Sequence, residues 1–131
     1  MARLMRVLVF GVAAFNLALG LTFLVAPVRI APAFSVLPIG VPGIAAIRAD
    51  FSAFFLCGAV FALVGAWRQD AAPLRVPLLL LLLGIALLGR VVSVAVDGMT
   101  PTTLAPMGAE FTMIAILTLA YRQFDGSART G

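Results

Sequence analysis

The sequence predicts an all-α membrane protein: a bundle of four transmembrane helices, both termini cytoplasmic, with a proline-rich outer loop between helices 1 and 2. Three observations carry this. The 131 residues are 63% hydrophobic and 11% charged, with a mean hydropathy of +1.18, whereas soluble domains carry about 25% charged residues. Four apolar stretches recur, each near the ~20 residues that cross a hydrocarbon core as a helix. The arginines gather at alternate ends of these stretches, as membrane topology requires.

The first span is read over residues 7–26. It is uncharged and follows Arg3 and Arg6. A basic start before an apolar run can also be a secretory signal, and Ala31-Pro32-Ala33 has a faint cleavage-site look. The run exceeds the ~7–15 residues of a signal core, so an uncleaved span is expected. Pro27, Pro32, Pro38 and Pro42 then forbid a long helix. The loop remains apolar through Val28, Ile30, Phe34, Val36 and Leu37. It is expected to lie on the membrane surface or to fold over the bundle, with one short helix around residues 32–36.

The second span, residues 44–67, ends in Trp67-Arg68, an aromatic ring and a cation suited to a membrane interface. Gly58, Ala62 and Ala66 recur every four residues beside Gly65, a face that lets another helix approach closely. Cys57 reads as a small packing residue. A polar turn leads to the third span, residues 74–96, which Gly98 and Pro101 close. The fourth span, residues 105–121, ends in Tyr121-Arg122. One domain over residues 1–122 and a disordered cytoplasmic tail over 123–131 complete the reading. Arg3, Arg6, Arg68, Arg75, Arg122 and Arg129 fall on one side and Arg29 on the other, which places both termini inside. Nine arginines without a lysine suit a GC-rich bacterial genome, hence the inner membrane.

Several function classes drop out. The net charge of +4 is spent at helix ends, with no basic face interleaved with aromatics, so nucleic acid is not an expected partner. The chain has no histidine, which removes imidazole haem ligation, the usual zinc sites and a Ser-His triad. No cofactor, metal site or catalytic residue is expected.

The candidate site residues are the polar ones inside the spans: Asn16, Arg48, Asp50, Arg90, Asp97 and Glu110. At about 1.5 Å of rise per residue, Asn16 lies ~15 Å above Arg6, Glu110 ~18 Å above Arg122 and Arg90 ~22 Å above Arg75. On the same scale Asp50 and Arg48 come out ~27 and ~30 Å above Arg68, and Asp97 ~33 Å above Arg75. The series grades from the outer surface to mid-membrane and then stops, which predicts an outward-facing pocket and not a pore. Charges in a bilayer face inward and pair, each costing about 2.5–3.5 kcal/mol at the centre. Arg90 and Asp97 are two turns apart on one helix side, whereas Arg48 and Asp50 face different ways. The expected pairs are Arg48 with Asp97, and Arg90 between Asp50 and Glu110. The alternatives are solvation of Arg48, Asp50 and Asp97 at the headgroup boundary, and a purely structural Arg90–Glu110 pair.

Arg48-Ala49-Asp50-Phe51, Gly89-Arg90, Asp97-Gly98 and Glu110, spread over four spans, resemble a bacterial family of small integral membrane proteins catalogued only as a domain of unknown function. The resemblance covers about residues 3–122. DoxX-like membrane proteins are similar in size and span count, without a shared motif. The resemblance implies a four-helix inner-membrane protein and carries no activity or catalytic residue. The function expected from the residues is binding of a lipid, quinone or other amphipath. The alternatives are a structural or accessory subunit of a membrane complex, in contact with a protein partner or its own copies, and a transporter or proton-relay component.

Overall fold

A computed structural model describes residues 2–77, 85–99 and 101–128. Among these there is no strand. Helix α1 runs Ala2–Val25, α2 Pro27–Ile30, α3 Gly40–Arg68, α4 Ile85–Asp97 and α5 Pro101–Ala128, with 3-10 turns at Ala31–Phe34 and Ala72–Leu74. Arg3–Val25 and Gly40–Arg68 are long and apolar enough to cross a membrane. Only 33% and 39% of their most apolar stretches are buried. Leu4, Val7, Phe15, Leu17, Leu21 and Leu24 of α1 are exposed, an apolar face of the kind that marks a membrane or protein contact.

Helices α1 and α3 pack antiparallel. Phe23 lies against Phe51 and Phe55, Gly20 against Leu56, and Asn16 against Gly58. The approach is close because Gly20 has no side chain: a Cβ there would stand 2.7 Å from Leu56 Cγ and 3.0 Å from its backbone nitrogen. Gly58, Ala62, Gly65 and Ala66 of α3 are all buried, so the small-residue face is a helix contact. The C-terminal half of α5 closes this end, placing Met113, Leu117, Ala120 and Phe124 with Val9, Val12 and Ala13. Helix α4 packs on α5.

The ends are built differently. At one, α3 stops where Gln69 takes a left-handed conformation (φ 54°) and donates its N–H to Gly65 O. Asp70 Oδ1 accepts from Ala72 N–H at 2.9 Å, and Leu74 seats fully buried on Gly65. Arg75 donates from Nε and Nη2 to Tyr121 Oη at 3.2 and 3.0 Å. The antiparallel packing brings Arg3, Arg6, Arg68 and Arg122 to this same end. At the other, the proline-rich segment turns back over the bundle. Phe34 meets Phe23 edge-on at 5.1 Å and Phe55 at 5.9 Å, and Ala31 is fully buried.

Several boundaries differ from the sequence reading. The proline-rich segment holds a helical turn at Pro27–Ile30 as well as the 3-10 turn, since Pro27 suits a first helical position. Helix α3 starts at Gly40, with Pro42 in its first turn, where no N–H is needed. The fourth helix is longer at both ends than residues 105–121. The tail is not disordered over 123–128: the helix continues because Phe124 follows Leu117 and Ala120 on one face and buries to 2% exposure. Residues 129–131 lie outside the described residues, as do 78–84 within the third expected span.

Gly20→Ala is expected to cost about 1–3 kcal/mol through overpacking against Leu56. A Cβ at Gly11 would meet nothing within 4 Å, so Gly11→Ala should be neutral or gain up to about 1 kcal/mol from helix propensity. Unfolding midpoints of the two variants in the same detergent check this difference.

Candidate functional site

Three polar side chains are buried among the described residues: Asn16 at 1%, Ser52 at 4% and Glu110 at 8% exposure. Each comes from a different helix. Asn16 is on α1 because residues 9, 12, 13, 16, 20 and 23 form one buried stripe at helical spacing. Ser52 continues the stripe of α3 that holds Phe55, Gly58 and Ala62. Glu110 lies three residues before Met113 on the buried side of α5.

Asn16 is the node. Its Nδ2 donates to Val12 O at 2.9 Å and to Met113 Sδ at 3.3 Å. The Val12 carbonyl can only accept, so it fixes which end of the amide faces it. The Asn16 Oδ1 is thereby held on the Gly58 side, buried and without a hydrogen-bond donor among the described residues. Ser52 turns its hydroxyl back onto Arg48 O and lies 3.3 Å from Ala49 O. Its proton is used locally, and its oxygen remains an acceptor. The exposed Thr22 and Thr112 do the same, donating to Ala18 O at 2.7 Å and Gly108 O at 2.8 Å. Hydroxyls turned inward on exposed helix faces suit a surrounding that offers no water.

Arg48 and Asp50 are not in the interior. Both are exposed, and neither forms an ion pair among the described residues. The geometry explains each. Arg48 continues the line of Ser52 and Phe55, but the register that sets Phe23 beside Phe51 puts it level with Ala26, past the end of α1. Asp50 is two residues from Ser52, about 200° around the helix. Both therefore stand at the outer end of α3. Arg90 and Asp97 have helical backbone in α4; their side chains, and with them both expected ion pairs, lie outside what is described. The structure thus brings together Asn16 with the helix contact that also holds Gly58 and Met113, with Glu110 one turn along. It separates Arg48 and Asp50 from that contact.

The sequence reading missed Met113 and Gly58 as neighbours of Asn16 and Ser52 as a buried hydroxyl. Ser52 was visible as the lone hydroxyl on the α3 stripe. Met113 gave no signal, because a methionine in an apolar run reads as packing, and its use as a hydrogen-bond acceptor depends on the α1–α5 register.

A separate groove of about 300 Å³ runs between α1 and α3, lined by Phe10, Ala13, Ala14, Leu17, Ala59, Val60 and Leu63. Its lining is wholly apolar, so it suits hydrocarbon and not a polar group. No group of three metal-ligating side chains occurs among the described residues.

Comparison of the chain with protein-family models, with curated proteins and with solved structures finds no match.

Asn16→Leu should hold or raise stability, because it replaces a buried, half-satisfied amide by a side chain of similar size. Asn16→Asp should cost several kcal/mol, because it places a charge beside Val12 O and Met113 Sδ with no donor among the described residues. Unfolding of both variants in detergent tests the pair; equal stability would contradict the burial described here.

Proposed function

We propose that this chain is a multi-pass protein of the bacterial inner membrane, with four spans and both termini in the cytoplasm. In this reading it binds an amphipathic ligand, a lipid or quinone, by its polar end. The membrane assignment is supported by two helices of spanning length with exposed apolar faces, and by arginines collected at one end of the bundle. The observation that carries the binding reading is the burial of Asn16, Ser52 and Glu110, on three different helices, among otherwise apolar buried side chains. Ionisable residues at membrane depth are rare and mark functional sites by default.

In this reading the ligand's polar end enters from the outer side, beneath the proline-rich cover. Arg48 and Arg90 meet phosphate, carboxylate or carbonyl oxygens, with Asp50 and Asp97 near the mouth. Asn16 and Glu110 receive donor groups deeper down. Binding is preferred to proton relay or transport because the interior between Asn16 and the arginine-rich end is apolar. The buried residues described there are Val9, Val12, Ala62, Ala66, Leu117 and Ala120, with no polar step among them.

Native mass spectrometry of protein extracted directly from its membranes tests this. Wild type should carry a discrete bound mass, and Glu110→Gln and Arg48→Ala should each lower its occupancy at least about tenfold, or 1.4 kcal/mol. A wild-type protein that arrives empty would overturn the proposal.

A further inference from the structure

We infer that the groove between α1 and α3 holds an acyl chain of an anionic phospholipid, whose phosphate meets Arg3 and Arg6 at the groove's mouth. The site uses none of the residues assigned to the outer ligand above. It rests only on the proposed membrane placement, and it lies in the leaflet that meets the arginine-rich end.

The first observation is the groove itself. Its volume of about 300 Å³ is at the lower end of the range for ligand pockets. Ala13 and Ala14 on one helix and Ala59 on the other line it, so small side chains leave depth between larger neighbours. Ala14, Leu17, Val60 and Leu63 are exposed, so the groove opens sideways to the surroundings of the helix pair. Beyond Leu17, Gly20 meets Leu56 without a side chain between them, which brings the helices together at the outer end. From Phe10 to Leu17 the strip is about 10 Å long and has no polar side chain. A methylene chain matches that lining.

The second observation is the charge at the other end. Residues 3, 6, 10, 13, 14 and 17 recur at three- and four-residue spacing, so Arg3 and Arg6 continue the α1 wall past Phe10. Residues 60, 63 and 67 do the same on α3. The Gly20–Leu56 register sets Trp67, 70% exposed, level with Val9, between Phe10 and Arg6. Arg6 is half-buried, its guanidinium carbon 5.7 Å from the centroid of the Phe10 ring. A stacked guanidinium keeps its N–H groups at its edge, where a phosphate can accept from them. Neither Arg3 nor Arg6 forms an ion pair among the described residues. This end carries Arg3, Arg6, Arg68, Arg75 and Arg122 against Asp70 and Asp125, an excess that favours an anionic headgroup over a zwitterionic one. An apolar slot, then an indole at the interface, then arginines follow the order of chemistry in a phospholipid from tail to head.

Detergent-purified protein titrated with phosphatidylglycerol or with phosphatidylcholine of identical chains, and read by native mass spectrometry, tests this. Wild type should bind one phosphatidylglycerol at least about tenfold more tightly than phosphatidylcholine. The double variant Arg3→Gln, Arg6→Gln should lose that preference and keep the weaker phosphatidylcholine binding. Ala14→Phe and Val60→Phe fill the groove from exposed positions on its two walls, and each should lower binding of both lipids at least about tenfold. Gly11→Phe adds the same ring where a Cβ meets nothing within 4 Å, and should bind like wild type. Equal binding of the two lipids by wild type, or wild-type affinity in both groove-filling variants, would overturn this inference and leave the membrane placement and the outer ligand site standing. A wild-type dimer that takes up neither lipid would also overturn it, and would give the groove to a helix. Recovery of the protein in the soluble fraction of cells would overturn the placement and this inference together.

Discussion

Gly20 meets the backbone of Leu56 with no side chain between them, and this contact sets the register of α1 against α3. The other main features of the described fold depend on that register. It sets Phe23 among Phe51 and Phe55, which gives Phe34 of the proline-rich segment a surface to close on. It brings Asn16 over Gly58, further along α3 than the phenylalanines. It also ends α1 before Arg48, and so leaves that guanidinium outside. In an apolar surrounding, helices gain little from mutual burial and associate through close packing instead.

The interior follows a simple rule of polar satisfaction, from which the Asn16 carbonyl departs. Thr22, Thr112 and Ser52 bond to carbonyls of their own helices, and Asn16 spends its amide hydrogens on Val12 and Met113. These arrangements let polar side chains live in a chain whose exposed faces are leucine, valine and phenylalanine. The Asn16 carbonyl lies beside Gly58 with no donor among the described residues.

Much of the fold was legible in the sequence. Apolar runs near spanning length located α1, α3 and α5, four-residue spacing of Gly58, Ala62 and Ala66 located the close helix face, and proline density located the fold-back at residues 27–39. Phe124 was misread, because Gln123, Asp125 and Gly126 around it look solvent-bound, and only helical spacing from Leu117 shows the core continuing. The site was legible by type and less by place. Asn16 and Glu110 were found as polar residues inside apolar runs, and both are buried. Arg48 and Asp50 were placed by depth along the chain alone. Depth does not report where the neighbouring helix ends or which side of α3 a residue occupies. Met113 meets Asn16 through inter-helix register, which no single stretch of sequence contains.

The proposed placement puts the two ends of α3 on opposite sides of a bilayer, with the proline-rich cover outside and the arginine-rich end inside. Single cysteines report this directly. In a Cys57→Ser background, Ile39→Cys and Ala72→Cys each place a thiol at an exposed position flanking α3. A membrane-impermeant maleimide applied to bacterial spheroplasts should label Ile39→Cys at once and Ala72→Cys only after lysis. Labelling of both from the same side, or recovery of the protein in the soluble fraction, would contradict this placement.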